Sequence, residues 1–216
     1  MTELTTTIPA HHLSRAARIA LLSAGCAFAL GVVSLGLAFA TGAIALGGLG
    51  AACLLQVPLA LALFGRIRIG LGNRGLDRER RILETIGQLS RWLALGLVLT
   101  AAAAWMGGRT PESSLASLAF SATAMGVLAI LWRLKQGLTA LHPALALDAR
   151  RTRTMVDLAA LVLIGNLLGH WFSWADACAA SALALRLFFE GLSLARLTAV
   201  KVACGGCSSG CESSCG

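Results

Sequence analysis

The final thirteen residues, Cys204-Gly-Gly-Cys-Ser-Ser-Gly-Cys-Glu-Ser-Ser-Cys-Gly216, place four of the chain's seven cysteines on a glycine- and serine-rich tail. Thiolates at Cys204, Cys207, Cys211 and Cys215 are soft donors, and the intervening Gly and Ser leave the backbone free to bring them round one ion. That chemistry suits Zn2+ or another soft divalent or monovalent metal ion. Cys204 and Cys207 form a Cys-x-x-Cys half-site, whereas the later spacings place three residues between cysteines, so the sequence permits a four-thiolate site without dictating it. Lipidation of the thiols, or a low-complexity extension, is the competing reading. Cys26, Cys53 and Cys178 stand singly in apolar stretches and are expected to be small packing residues.

A second set of polar groups lies inside long apolar runs, where each is costly and therefore a candidate for function. Gln56, Asp157, Asp176 and Glu190 form a possible intramembrane pathway. Each also has a structural reading. Asp157 follows Arg153 by four residues and Glu190 follows Arg186 by four, so each can pair within its own helix. Asp176 opens an apolar segment between tryptophans in Trp171-Phe-Ser-Trp-Ala-Asp-Ala177, the place for a helix-capping carboxylate at a membrane interface. Gln56 precedes Pro58 by two residues and can face either a backbone carbonyl freed by the proline or a central cavity. Asn166 and His170 are hydrogen-bonding candidates without a partner identifiable from sequence, and the adjacent His11-His12 cannot chelate well alone.

The elements that must position these groups are apolar helices. With 57% hydrophobic and 13% charged residues and a mean hydropathy of +0.78, the chain reads as an all-α integral membrane protein. Six runs approach the roughly 20 residues needed to cross the hydrocarbon core. They are Ile19–Ala40, Gly42–Phe64, Trp92–Met106, Leu115–Trp132, Met155–Gly169 and Trp174–Leu194. Their Ala/Leu-rich continuity lacks the alternation of membrane strands. Glycines 42, 47, 48 and 50 predict close helix packing at the start of the second span.

Charge sets the expected orientation. Arg15 and Arg18 precede the first run, seven arginines from Arg66 to Arg91 crowd the second connection, and Arg133, Lys135, Arg150, Arg151 and Arg153 crowd the fourth. Arg109 is the sole Lys or Arg of the other three connections. By the positive-inside rule both termini are expected in the cytoplasm, in a multi-pass protein of the inner (plasma) membrane. The same rule accounts for the sequence pI of about 9.8 without a nucleic-acid partner. The first run is longer than a signal-peptide core despite Ala38-Phe39-Ala40, so it is expected to be retained. The chain thus divides into a cytoplasmic leader (1–17), a six-helix transmembrane domain (18–198) and a Cys-rich cytoplasmic tail (199–216). In a reducing compartment clustered thiols favour metal over disulfides.

Three local patterns join this helix order and loop charge. The first is Gly42-Ala-Ile-Ala-Leu-Gly-Gly-Leu-Gly-Ala-Ala-Cys-Leu-Leu-Gln-Val57, and the second is Asp77-Arg-Glu-Arg-Arg81. The third is Ala146-Leu-Asp-Ala-Arg150, followed by Trp174-Ala-Asp-Ala177 and Glu190-Gly191. Together they resemble the membrane domain of the cation diffusion facilitator family, in its short bacterial form that lacks the cytoplasmic domain and ends in a Cys-bearing tail. The resemblance implies divalent heavy-metal efflux and a homodimer. It also implies two ligand pairs, spaced four apart on helices two and five, that hold Zn2+ at the membrane midplane. Here the first pair falls on Ala52 and Gln56, and the second within Arg151–Met155, or on Arg153 and Asp157 with a small shift in register. Three expectations follow. One is transport through a rearranged site recruiting His170, Asn166 or Cys53; the others are a transport-inactive metal sensor and a structural subunit of a membrane complex. No catalytic constellation appears, so an enzyme is not expected.

Overall fold

The computed structural model describes residues 10–69, 76–107, 114–139, 143–172 and 174–205, with side chains described within 14–65, 81–107, 114–139, 145–172 and 174–195. Six helices make up the described chain: α1 (Ala10–Thr41), α2 (Ile44–Ile69), α3 (Leu76–Met106), α4 (Leu115–Gln136), α5 (Pro143–Leu168) and α6 (Ala175–Gly205). No strand occurs among the described residues. Five of the helices, all but α5, are long and apolar enough to cross a membrane. In α5 the charges Asp148, Arg150, Arg151, Arg153 and Asp157 leave Leu158–Leu168 as the longest stretch without one. At 1.5 Å rise per residue that stretch is roughly 16 Å long, about half a hydrocarbon core.

Local chemistry sets the helix boundaries. Gly42 adopts a left-handed φ of +70° and donates its N–H to the Ala38 carbonyl at 2.8 Å, the glycine stop that ends α1 and lets α2 begin two residues later. Ser114 caps α4: its Oγ accepts the Ser117 N–H at 3.1 Å, satisfying one of the free donors of the first turn. Pro143 is the first residue of α5, where its missing N–H costs nothing. Pro58, by contrast, is accommodated inside α2.

Contacts arrange α1, α2, α5 and α4 in a ring, each touching the next and α4 returning to α1. The remaining helices, α3 and α6, pair with one another and lie against α2; α6 also touches α5. Close backbone approach holds two of these seams. A Cβ on Gly50 would lie 3.0 Å from the Gly31 carbonyl oxygen, on the α1–α2 seam. One on Gly191 would lie 2.8 Å from the Gly87 carbonyl oxygen, on the α3–α6 seam. The core is centred on α5, whose Leu158, Ala159 and Val162 are wholly buried with Leu46 and Leu49 of α2 and Leu183 and Leu187 of α6.

The bundle has two chemically distinct ends. At one, Ala16 of α1 packs with Leu63 of α2, Leu138 and Leu145, and Leu59 of α2 packs with Ile86 of α3 and Leu194 of α6. The start of α1 and the later part of α6 therefore share this end, together with Arg15, Arg18, Arg81, Arg133, Lys135 and Arg150. The other end carries Trp105, Trp171 and Trp174, all exposed, and no Lys or Arg among the described residues. The uneven Lys and Arg is the charge bias the positive-inside rule describes, and exposed tryptophans suit a membrane interface.

Candidate functional site

Counting along α5 in steps of three and four gives Asp148, Thr152, Met155, Leu158, Ala159, Val162 and Asn166, a single helical stripe. Every member is buried. The stripe that forms the apolar core therefore continues without a break into charged residues at the basic end. There the neighbouring helices supply partners of opposite sign.

Lys135, at the end of α4, is 3% exposed and lies 2.8 Å from Asp148 Oδ2. Its Nζ also donates to Thr152 Oγ1 at 2.9 Å, and that hydroxyl donates to the Asp148 carbonyl at 3.0 Å. Gln56 of α2 completes the group, its Nε2 donating to Thr152 Oγ1 at 3.4 Å. A turn from Asp148, Arg151 is 4% exposed and pairs through Nε with Glu190 Oε1 of α6 at 3.3 Å. Two cations and two anions thus alternate across α4, α5 and α6, summing to zero. The pairing lets the charges leave water, since unpaired they would cost several kcal/mol each. The network retains unused hydrogen-bonding capacity: Gln56 Oε1, Asp148 Oδ1, Arg151 Nε and Nη1 and Glu190 Oε2 are buried and make no hydrogen bond among the described residues.

Of the four residues expected along an intramembrane pathway, the structure brings two near each other. Gln56 and Glu190 meet consecutive α5 residues, Thr152 and Arg151. Asp157 lies farther along α5 and is bound to Arg186 of α6 at 3.0 Å, both about half exposed. Asp176 stands at the opposite end, where Oδ2 accepts the Ile44 N–H at 2.9 Å and Oδ1 the Ala45 N–H at 3.3 Å. It caps α2 rather than the helix that carries it.

These partners correct the pairings expected within single helices. Asp157 takes Arg186 across the α5–α6 seam instead of Arg153, and Glu190 takes Arg151 instead of Arg186. For Arg151 and Glu190 the physical reason is that a cross-helix partner lets two buried faces neutralise one another, whereas pairing at four-residue spacing runs along one face only. Arg153 instead sits with its guanidinium 5.7 Å from the centre of the Trp132 ring. Gln56 turns towards α5, not towards the carbonyl that Pro58 frees. Cys53 is buried in the core as expected of a packing residue, while Cys178 is exposed and is not one. Asn166 donates to the Ser117 carbonyl at 3.5 Å and to Ser121 Oγ at 3.4 Å, tying α5 to α4. His170 is exposed and lies edge-on to Trp171.

Sequence reasoning misses Lys135, Asp148 and Thr152 as site residues because they read as loop charge after a fourth span. Extending the buried stripe of α5 backwards by three and four residues finds two of them. Lys135 is visible only once α4 is laid against α5.

The donor set does not suit a divalent cation. The positions implied by the family resemblance are Ala52 and Gln56 with a pair within Arg151–Met155, or Arg153 and Asp157 in the shifted register; the arginines cannot shed their charge, and Asp157 is held by Arg186. The nearest carboxylates, Asp148 and Glu190, are each engaged by a cation. No group of three His, Cys, Asp or Glu able to hold a metal occurs among the described residues. In the tail, Cys204 belongs to the last turn of α6, and Cys207, Cys211 and Cys215 lie outside the described residues. Comparison with known proteins finds no matching family model and no matching curated protein.

Proposed function

We propose that this chain is a transport-inactive relative of divalent heavy-metal efflux proteins, a multi-pass membrane anchor that presents a Cys-rich, metal-binding tail as a sensor or docking element. In this reading α5 crosses the membrane as a sixth span, so that both termini lie on the basic, cytoplasmic side of the inner membrane.

The observation that carries the reading is the buried Arg151, paired with Glu190 beside Gln56 and Thr152. A dication entering there meets a network that is already neutral, whose two carboxylates are each held by a cation of the protein. Removing a carboxylate from its partner to bind the ion would also strand a buried cation, a loss of about 3–5 kcal/mol. The same network favours a sixth crossing, because it neutralises Asp148 and Arg151, two of the charges that otherwise keep this part of α5 out of hydrocarbon. The tail's four thiols are then the best-supplied soft-metal donors in the sequence.

Two measurements on the full chain in proteoliposomes test this reading. No flux of zinc, cadmium or manganese above protein-free vesicles is expected, and metal-dependent flux or proton counterflow would restore the transporter reading. Zinc affinity measured on the tail side should fall by at least about tenfold when Cys204, Cys207, Cys211 and Cys215 are all replaced by Ser. An unchanged affinity removes the tail as the metal site.

A further inference from the structure

Among the exposed arginines at the basic end of the bundle, three lie on α4 and α5 beside the buried network. Arg133 closes α4, while Arg150 and Arg153 lie three apart on the outer face of α5; all three are exposed. The guanidinium carbons of Arg133 and Arg153 each lie 5.7 Å from the centre of the Trp132 ring, so the two cations are gathered around one aromatic residue. None of the three arginines has an ion pair among the described residues. Asp148 and Asp157, the carboxylates nearest along α5, are committed to Lys135 and Arg186.

This concentration of positive charge sits where α4, a candidate span over Leu115–Gln136, emerges from the hydrocarbon. Next to it on α4, Ile130 and Leu134 are 63% and 42% exposed and present apolar surface. A ligand for this surface must carry negative charge at the level of the arginines and a hydrocarbon body alongside Ile130. Those are the two parts of an anionic phospholipid. We propose that Arg133 and Arg153, gathered around Trp132, together with the exposed Arg150 one turn from Arg153 on α5, form a binding site for the headgroup of an anionic phospholipid, its acyl chains running along α4. Arginine forks bind phosphate oxygens bidentately, and the tryptophan fixes the depth of the site at the interface.

The test is native mass spectrometry of the full chain in detergent, titrated with phosphatidylglycerol and, separately, with phosphatidylcholine. Retained phosphatidylglycerol adducts are expected, with phosphatidylcholine binding much more weakly. The triple substitution R133Q/R150Q/R153Q should weaken phosphatidylglycerol binding on the order of 100-fold. A control with equal loss of charge at exposed residues elsewhere on the basic end, R15Q/R18Q/R81Q, should lose less than about a tenth of that factor. Equal binding of both lipids, parent-like binding by the first variant, or an equal loss in the control would overturn the site. Displacement of the lipid by millimolar inorganic phosphate would overturn the assignment to a lipid.

Discussion

At the scale of single residues, Arg151 governs what the interior can do. It is held between two helices by Glu190 and lies one turn from the Lys135–Asp148 pair. Replacing it with Met should cost about 3–5 kcal/mol, measured by reversible denaturation in mixed micelles, because Glu190 is left as a buried unpaired charge. Adding Glu190→Leu to that variant should recover most of the loss, since two apolar residues of similar volume need no solvation. A double variant as unstable as the single would mean that the pair is not a self-contained unit. Asp176 acts differently, through the N–H groups of another helix. Asp176→Ala should cost about 1–2 kcal/mol, and Asp176→Asn, which keeps one acceptor for the same N–H groups, should cost less.

At the scale of elements, the seams depend on glycines whose surroundings differ. Gly50 and Gly191 face backbone carbonyls at distances that no real Cβ occupies comfortably, while Gly36 of α1 has nothing within 4 Å. Gly50→Ala and Gly191→Ala should each destabilise the bundle by about 1–3 kcal/mol as the helices are forced apart. Gly36→Ala should instead be neutral or stabilising by up to about 1 kcal/mol, the gain from lower backbone entropy. The same unfolding measurement ranks all three, and a similar cost at Gly36 would show that close backbone approach does not set the ranking. The helix most in need of its neighbours is α5, whose Asp148, Arg151 and Asp157 are met by Lys135, Glu190 and Arg186.

For the whole molecule, the number of crossings is decided by α5. If it spans the bilayer, single cysteines placed at Ser14 and Gln136 react with an impermeant maleimide from one side, and those at Gly107 and His170 from the other, in a background free of native cysteines. Labelling of His170→Cys from the same side as Gln136→Cys would mean that α5 turns back within the membrane, and would remove the common sidedness of the termini. The concentration of positive charge at one end, and of exposed tryptophans at the other, favours the crossing.

The sequence alone determined the helical, membrane-embedded character of the chain, because continuous apolar runs and the scarcity of charge are properties of local composition. It also marked the glycines at the start of the second span as close-packing positions, which holds for Gly48 and Gly50, whereas Gly42 has open space around it and serves as the left-handed stop of α1. It singled out Gln56, Asp157, Asp176 and Glu190 as anomalous, since any polar group in an apolar run is. Their partners were another matter. Asp176 reaches the start of α2, Asp157 reaches Arg186, and Glu190 reaches Arg151, across separations in the chain that no periodicity encodes. Only the packing of α5 against α2, α4 and α6 decided that the place where metal ligands were sought holds a neutral, self-paired network. Electrostatic pairing is set by distance in space, and spacing along one helix constrains only that helix's own face.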